Sequence, residues 1–127
     1  MSKIVFDSSA LLALLHQEPG CEIVEKHLPE GIMSTVNLAE VIAILEEVGV
    51  SHQIAEKMVT ELMKEIIAFD HPQALLTAQL RKITKSHGLS LGDRACLALA
   101  KLQNLPVLTA DKAWAKADHS VKVLLVR

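Results

Sequence analysis

Lys3-Ile4-Val5-Phe6-Asp7-Ser8-Ser9-Ala10-Leu11-Leu12-Ala13-Leu14-Leu15 is the stretch that decides the architecture. Lys3 to Phe6 reads as a short buried strand. From Ser8 to His16, Leu11, Leu12, Leu14 and Leu15 then read as a helix. A buried strand that passes straight into a helix, with an acid at the junction, is the repeating unit of a parallel sheet. The rest of the chain follows the same grammar. Pro19 opens a second helix through Ile23, Val24 and Leu28, and Gly31 to Val36 is a second strand and its exit. Asn37 to Val48 is a helix with the apolar stripe Leu38, Val41, Ile42, Leu45 and Val48. Ser51 caps a further helix from Ile54 to Ile66. Ile66 to Asp70 is a third strand closed by Pro72, and Ala74 to His87 a helix that Gly88 ends. Leu91 to Gln103 is apolar on most of its circumference and so deeply packed. Pro106 to Thr109 is a fourth strand, Lys112 to Ala117 a short helix, and Val121 to Val126 a terminal strand. Short apolar strands alternating with helices predict a three-layer α/β domain with a central, mostly parallel sheet. No repeat, linker or low-complexity segment divides the 127 residues, which read as a single domain over 1–127.

Bulk properties narrow the class without naming an activity. Half the residues are hydrophobic and the mean hydropathy is +0.31, yet the apolar runs are too short and interrupted to span a bilayer. The start meets Asp7 too early for a signal peptide, so a cytoplasmic location is expected. Cys21 and Cys96 lack a partner motif or metal-ligand spacing, and Cys96, inside Ala95-Cys96-Leu97-Ala98, reads as a small core residue. A net charge of −2 does not announce a nucleic-acid binder. The apolar surplus suits a surface covered in part by a partner.

The chemistry rests on four acids at strand-to-helix junctions: Asp7, Glu40, Asp93 and Asp111. Such junctions converge on one edge of a parallel sheet, so carboxylates far apart in sequence can meet in one cleft. Close carboxylates repel, and they either raise their pKa values or share a divalent cation. Hard oxygen ligands without His or Cys point to Mg²⁺ or Mn²⁺, ions that serve phosphoryl chemistry. The competing reading is that all four are helix caps. Asp7 and Asp111 stand where N-caps stand, and Asn37-Leu38-Ala39-Glu40 and Ser90-Leu91-Gly92-Asp93 have capping-box spacing. Three details favour a site. Ser8 or Ser9 is able to cap the first helix without Asp7, Thr109 and Asp111 flank a small Ala, and Gly92 permits close approach to the backbone before Asp93.

Together the segments Val5-Phe6-Asp7-Ser8-Ser9-Ala10-Leu11-Leu12-Ala13, the run around Glu40, Leu91-Gly92-Asp93-Arg94-Ala95-Cys96-Leu97-Ala98-Leu99-Ala100 and Leu108-Thr109-Ala110-Asp111-Lys112-Ala113-Trp114 resemble the PIN-domain ribonucleases. Within that family they are most similar to the VapC toxins of toxin–antitoxin pairs. The resemblance runs from the first strand to the last, with no departure at the acidic positions. It implies a five-stranded parallel sheet flanked by helices and a metal-dependent endoribonuclease that uses Mg²⁺ or Mn²⁺. It also implies an RNA substrate, a small cognate antitoxin and, with the apolar composition, a homodimer. By position, Asp7, Glu40, Asp93 and Asp111 match the family's metal-site acids, and Ser8 and Thr109 match small polar positions around them.

Cations flank these acids. Arg94, Lys112 and Lys116 are candidates for contact with RNA phosphates, with pairing to a site carboxylate the alternative for Arg94 and Lys112. Arg81, Lys82 and Lys85 read rather as a solvated helix face, and Asp118 as a partner of Lys116 or a plain surface acid. With Phe6, Phe69 and Trp114 the only aromatics, base stacking has little to work with. The six His are scattered and read as surface or helix-end residues. Two other enzyme classes share the architecture. A dehalogenase-like phosphatase wants a second Asp where Ser9 stands, and a phospho-receiver would use Asp70 but wants paired acids where Asp7 is alone. A binding module without catalysis is what remains if the acids are only caps.

Overall fold

The computed structural model describes residues 2–127. The chain runs β1 (Ile4–Phe6), α1 (Ser8–Leu15), α2 (Cys21–His27), β2 (Gly31–Ser34), α3 (Thr35–Glu47), α4 (His52–Leu62), β3 (Glu65–Ile67), α5 (His71–Thr84), α6 (Leu91–Gln103), β4 (Val107–Thr109) and β5 (Val123–Leu125). Three 3-10 turns, Leu28–Glu30, Lys85–His87 and Lys112–Lys116, complete it.

All five strands are parallel and lie in the order β3-β2-β1-β4-β5. Both faces are covered, as a parallel sheet requires, and the period-2 alternation of side chains assigns residues to each face. Ile4, Phe6, Met33 and Leu108 face one core, completed by Leu11, Val24, Val41, Leu45, Ala55 and Val59 from α1 to α4. Val5, Ile32 and Val107 face the other, against Leu80 of α5 and Cys96 to Ala100 of α6. Three layers result, and Cys96 is the buried core residue its context suggested. Trp114 is fully buried in the second core. Among the described residues no helix is long and apolar enough to cross a membrane.

Several boundaries move, each for a local reason. Helix α3 starts at Thr35 rather than Asn37, because the Ser34 hydroxyl accepts the Val36 N–H at 3.1 Å and caps it. The expected Asn37–Glu40 capping box therefore does not form. Helix α4 stops at Leu62, since Met63 is extended and Glu65–Ile67 pairs with Ile32–Ser34 of β2. Asp70 leaves that strand and caps α5, accepting the Gln73 N–H at 3.1 Å. The expected helix Lys112 to Ala117 is a 3-10 turn. His119 contradicts the reading of every His as peripheral. It is buried, its Nε2 bonded to the Trp114 carbonyl at 2.7 Å and its Nδ1 accepting the Val121 N–H at 3.1 Å.

The sheet order reverses at β1: β2 and β3 lie to one side, β4 and β5 to the other. In such sheets the crevice forms beyond the C-terminal ends of the two strands that diverge. Asp7 occupies that point, with its N–H donated to the Leu108 carbonyl of β4 at 3.0 Å.

Candidate metal-dependent active site

Asp7 follows β1 directly and is 2 % exposed. It takes the N-cap position of α1 but makes no side-chain cap bond. Its carboxylate is instead held from the side. Ser9 Oγ donates to Oδ2 at 2.5 Å, Thr109 Oγ1 to the same oxygen at 2.9 Å, and Ser8 Oγ reaches Oδ1 at 3.4 Å. Burial pushes this carboxyl from the ordinary 3.8 up to about 6; the Ser9 bond opposes the rise, Asp93 adds to it, the Thr109 bond opposes it, and Glu40 adds a smaller share.

Glu40 arrives from the second turn of α3. Its Oε1 accepts Asn37 Nδ2 at 2.8 Å and Ser8 Oγ at 3.0 Å. The same Asn37 amide donates to the Gly92 carbonyl at 3.1 Å, tying α3 to the first turn of α6. Gly92 is what makes room: a Cβ there would stand 2.3 Å from Glu40 Oε2.

Asp93 and Asp111 are held by backbone. Asp93 completes a capping box with Ser90, its Oδ2 accepting the Ser90 N–H at 2.9 Å while Ser90 Oγ accepts the Asp93 N–H at 3.2 Å. Asp93 is raised above the ordinary carboxylate value, first by burial, against the two Ser90 bonds, with Glu40 and Asp111 adding repulsion. Asp111 caps the turn Lys112–Lys116, Oδ1 accepting the Ala113 N–H at 2.9 Å.

The four acids thus share one electrostatic neighbourhood, with Asp93 central to it. Among the described residues no three of them stand close enough to grip an ion as placed. The donor set nonetheless fits a hard divalent cation. Glu40, Asp93 and Asp111 each commit one oxygen to the protein, leaving Oε2, Oδ1 and Oδ2 respectively without a protein donor, while Asp7 Oδ1 has only the long Ser8 contact. Among the described residues no Lys or Arg forms an ion pair with any of them. The Asn37 amide donates through its nitrogen to Glu40, while its carbonyl oxygen Oδ1 is buried without a protein partner.

Ser8 and Thr109 touch site acids, as their positions suggested. Arg94 does not. Its side chain leaves the opposite flank of α6, is 8 % exposed and donates from Nη1 to the Thr77 carbonyl of α5 at 2.9 Å. It forms no ion pair with a carboxylate among the described residues, because adjacent helical side chains diverge by about 100°. Lys112 and Lys116 are exposed on the turn that follows Asp111, and Asp118 is exposed without an ion pair among the described residues. Two contributors escaped the sequence reading. Ser9 was legible as a hydroxyl two residues after Asp7, and Asn37 as an amide one turn before Glu40, but each also fits a capping role. Beneath them the Cys96 thiol is pushed well up by burial and by Asp7, Asp93 and Glu40, so it stays protonated.

A family model for the PIN domain matches residues 4–120. No curated protein matches the chain. Solved structures do. A toxin–antitoxin complex from Klebsiella pneumoniae contains a chain 21% identical, with TM-score 0.73 and 98% of each chain covered. DNA-bound VapBC from Salmonella typhimurium gives 16% identity, TM-score 0.75 and 100% coverage of both chains. Mycobacterium tuberculosis VapC20, described as a Sarcin-Ricin loop cleaving toxin, gives 13% identity and TM-score 0.74, with 90% of this chain and 94% of that chain covered.

Proposed function

The chain belongs to the PIN domain family, and from that premise we propose that it is a VapC-like toxin: an endoribonuclease that needs Mg²⁺ or Mn²⁺ and is silenced by a cognate antitoxin. The observation that carries the reading is Asp7, a buried carboxylate ringed by Glu40, Asp93 and, through Asp93, Asp111, with no Lys or Arg in an ion pair with any of them among the described residues. A purely structural cap has no reason to gather three further acids around a buried one, because each added carboxylate raises the cost of ionising the rest. Asp7, Glu40, Asp93 and Asp111 would hold the ion. When bound, Mg²⁺ or Mn²⁺ supplies a water acidic enough to attack and positive charge for the phosphate oxygens.

The chain's own residues do the positioning. Ser9 and Thr109 fix one oxygen of Asp7 and leave the other the freer one. Ser8 and Asn37 hold Glu40 by Oε1, so Oε2 is presented. The capping bonds of Asp93 and Asp111 likewise engage one oxygen of each carboxylate and leave the other without a protein donor. Asp7 carries a proton more readily than an ordinary Asp and gives it up at Oδ1 or Oδ2 when positive charge arrives. Among the described residues no His faces these acids within ion-pair distance, which leaves the carboxylates as the proton-handling groups.

Supporting the partner assignment, the chains similar to this one include members of a toxin–antitoxin complex and of VapBC. An antitoxin Arg set among the acids would pair bidentately with the free oxygens and compete with the ion. The protein itself is proposed to act as a homodimer in the cytoplasm. The test is cleavage of a structured RNA by purified protein. We expect activity with Mn²⁺ or Mg²⁺, abolished by EDTA and by Asp7→Asn. Undiminished cleavage in excess chelator would reject the mechanism.

A further inference from the structure

The net charge of −2 conceals a strongly bipolar chain. Residues 1–80 carry four Lys/Arg and twelve Asp/Glu, a formal charge of −8; residues 81–127 carry nine and three, a charge of +6. Charge asymmetry of this kind is a mark of polyanion binding that overall charge misses. The sheet order turns the sequence asymmetry into a spatial one, since β2 and β3 belong to the acidic part and β4 and β5 to the basic part, with β1 and Asp7 between.

The two parts also treat their cations differently. In the acidic part Lys3, Lys57 and Lys64 lie within ion-pair distance of Glu65, Glu61 and Glu30, and of its four cations Lys26 alone is exposed without such a pair among the described residues. In the basic part Arg127 reaches Glu18, and Arg94 is buried against Thr77. The other seven, Arg81, Lys82, Lys85, Lys101, Lys112, Lys116 and Lys122, are exposed and form no ion pair among the described residues.

Geometry divides these seven. The turn Lys85–His87 packs against the turn Lys112–Lys116. The first leads within three residues to the Ser90–Asp93 capping box, and the second begins immediately after Asp111. Lys85, Lys112 and Lys116 therefore stand on two touching turns that form a rim beside the acid cluster, and Arg81 and Lys82 occupy the last turn of α5 that leads into it. Lys101 and Lys122 line a separate cleft of about 270 Å³ with Asn104 and Pro106, at the edge where β4 and β5 begin. That edge is the one opposite the acids.

We propose that the rim built by the two 3-10 turns is the track that holds the RNA phosphate backbone as it enters the acid cleft. The inference rests on the nuclease reading and assigns its substrate-binding surface. It also reverses the reading of Arg81 to Lys85 as a merely solvated face. An acidic pocket repels a polyanion, so capture has to come from flanking cations, and cations without carboxylate partners are the ones free to release counterions on binding.

The test uses the full-length protein carrying Asp7→Asn, titrated with a single-stranded RNA by fluorescence anisotropy at several KCl concentrations. Neutralising the rim (Lys85→Gln, Lys112→Gln and Lys116→Gln together) should weaken binding on the order of tenfold and flatten the salt slope by about 2, at about 0.7 for each phosphate contact on a single strand. Lys101→Gln with Lys122→Gln should leave both nearly unchanged. Equal effects from the two sets, or an unchanged slope in the rim variant, would overturn the proposal. Weakened binding to duplex DNA with RNA binding intact would overturn the RNA assignment. Parallel assays in the Asp7 protein with Mn²⁺ separate the two readings. Cleavage that survives rim neutralisation with unaltered KM removes the rim and leaves the nuclease; RNA held on the rim without any cleavage does the reverse. A protein that binds no RNA at all rejects both.

Discussion

Asp7 and Glu40 are held by side chains, whereas Asp93 and Asp111 are held by backbone N–H groups that they cap. The first pair has no capping duty: Asp7 makes no cap bond, and α3 is capped by Ser34. The second pair does two jobs at once. Capping and site membership, which looked like rival explanations, are compatible wherever a carboxylate has two oxygens and the backbone needs one. What distinguishes Asp7 from Asp93 is how the cost of ionisation is relieved. Asp7 is buried beside like charges without a single backbone donor to its carboxylate, and Asp93 is relieved by two bonds with Ser90.

Asp7→Asn gives the sharpest separation. Cleavage should fall at least ~10³-fold, because the variant loses several kcal/mol of charge stabilisation at the reacting phosphate. Stability should move the other way. The folded protein keeps a proton on Asp7 up to about pH 6, whereas the unfolded chain releases it near 3.8. The metal-free protein is thus most stable below the unfolded pKa and loses, between about pH 4 and 6, of order 3 kcal/mol for a shift of that size. Urea denaturation in EDTA should show that loss in the parent and not in the variant, which is then the more stable of the two at pH 8. A parent without this pH dependence would mean that Asp7 is not under strain.

Gly92→Ala attacks the packing that seats Glu40. A Cβ 2.3 Å from Oε2 must displace the carboxylate, and a misplacement of about 1 Å in a catalytic array costs about 10²-fold in rate. Because Ala is the better helix former by about 1 kcal/mol, thermal stability should hold while kcat/KM collapses. Normal turnover would show that Glu40 is dispensable.

Asn37→Ala removes a holder of Glu40 rather than the acid itself. Mn²⁺ affinity, read by electron paramagnetic resonance, should drop about 10–100-fold, the range typical of groups that orient metal ligands. Rescue by Asn37→Gln would point to mere hydrogen-bonding capacity; no rescue would place the weight on geometry.

Asp93→Ala yields the smallest change in stability and completes the comparison. Loss of a capping side chain destabilises by ~1 kcal/mol, partly offset by relief of repulsion from Glu40 and Asp111. The expected sign is opposite to that of Asp7→Asn, while cleavage is lost in both. If both substitutions stabilise, the contrast between the pairs is wrong.

Much of this was legible one residue at a time. The short apolar run Ile4 to Phe6, the helical spacing of the leucines and acids close to the starts of helices led to the layered parallel fold and to the four acids. Those signals are local: they depend on which residues are apolar and how far apart they stand. The misreadings were also local in origin. Asn37 and Ser34 both qualify as caps of α3, and only the backbone geometry at Ser34 decides between them. Arg94 is adjacent to Asp93 in sequence yet belongs to the α5–α6 interface.

By itself, then, the order of residues determined the alternation of strand and helix, the two-sided burial of the sheet and the acids Asp7 and Asp111 just after strands, because periodicity and turn chemistry act within a few residues; the structure sets Glu40 a turn inside α3 and Asp93 after a helix-to-helix connection. Residue order could not say which oxygens of the four carboxylates are spoken for, that Gly92 yields its side-chain space to Glu40, or that a basic turn at residues 85–87 lies against another at 112–116. Those facts join residues dozens of positions apart. Only the packing of helices onto a sheet whose strand order reverses at β1 fixes the distances, and electrostatic interaction depends on distance in space rather than along the chain.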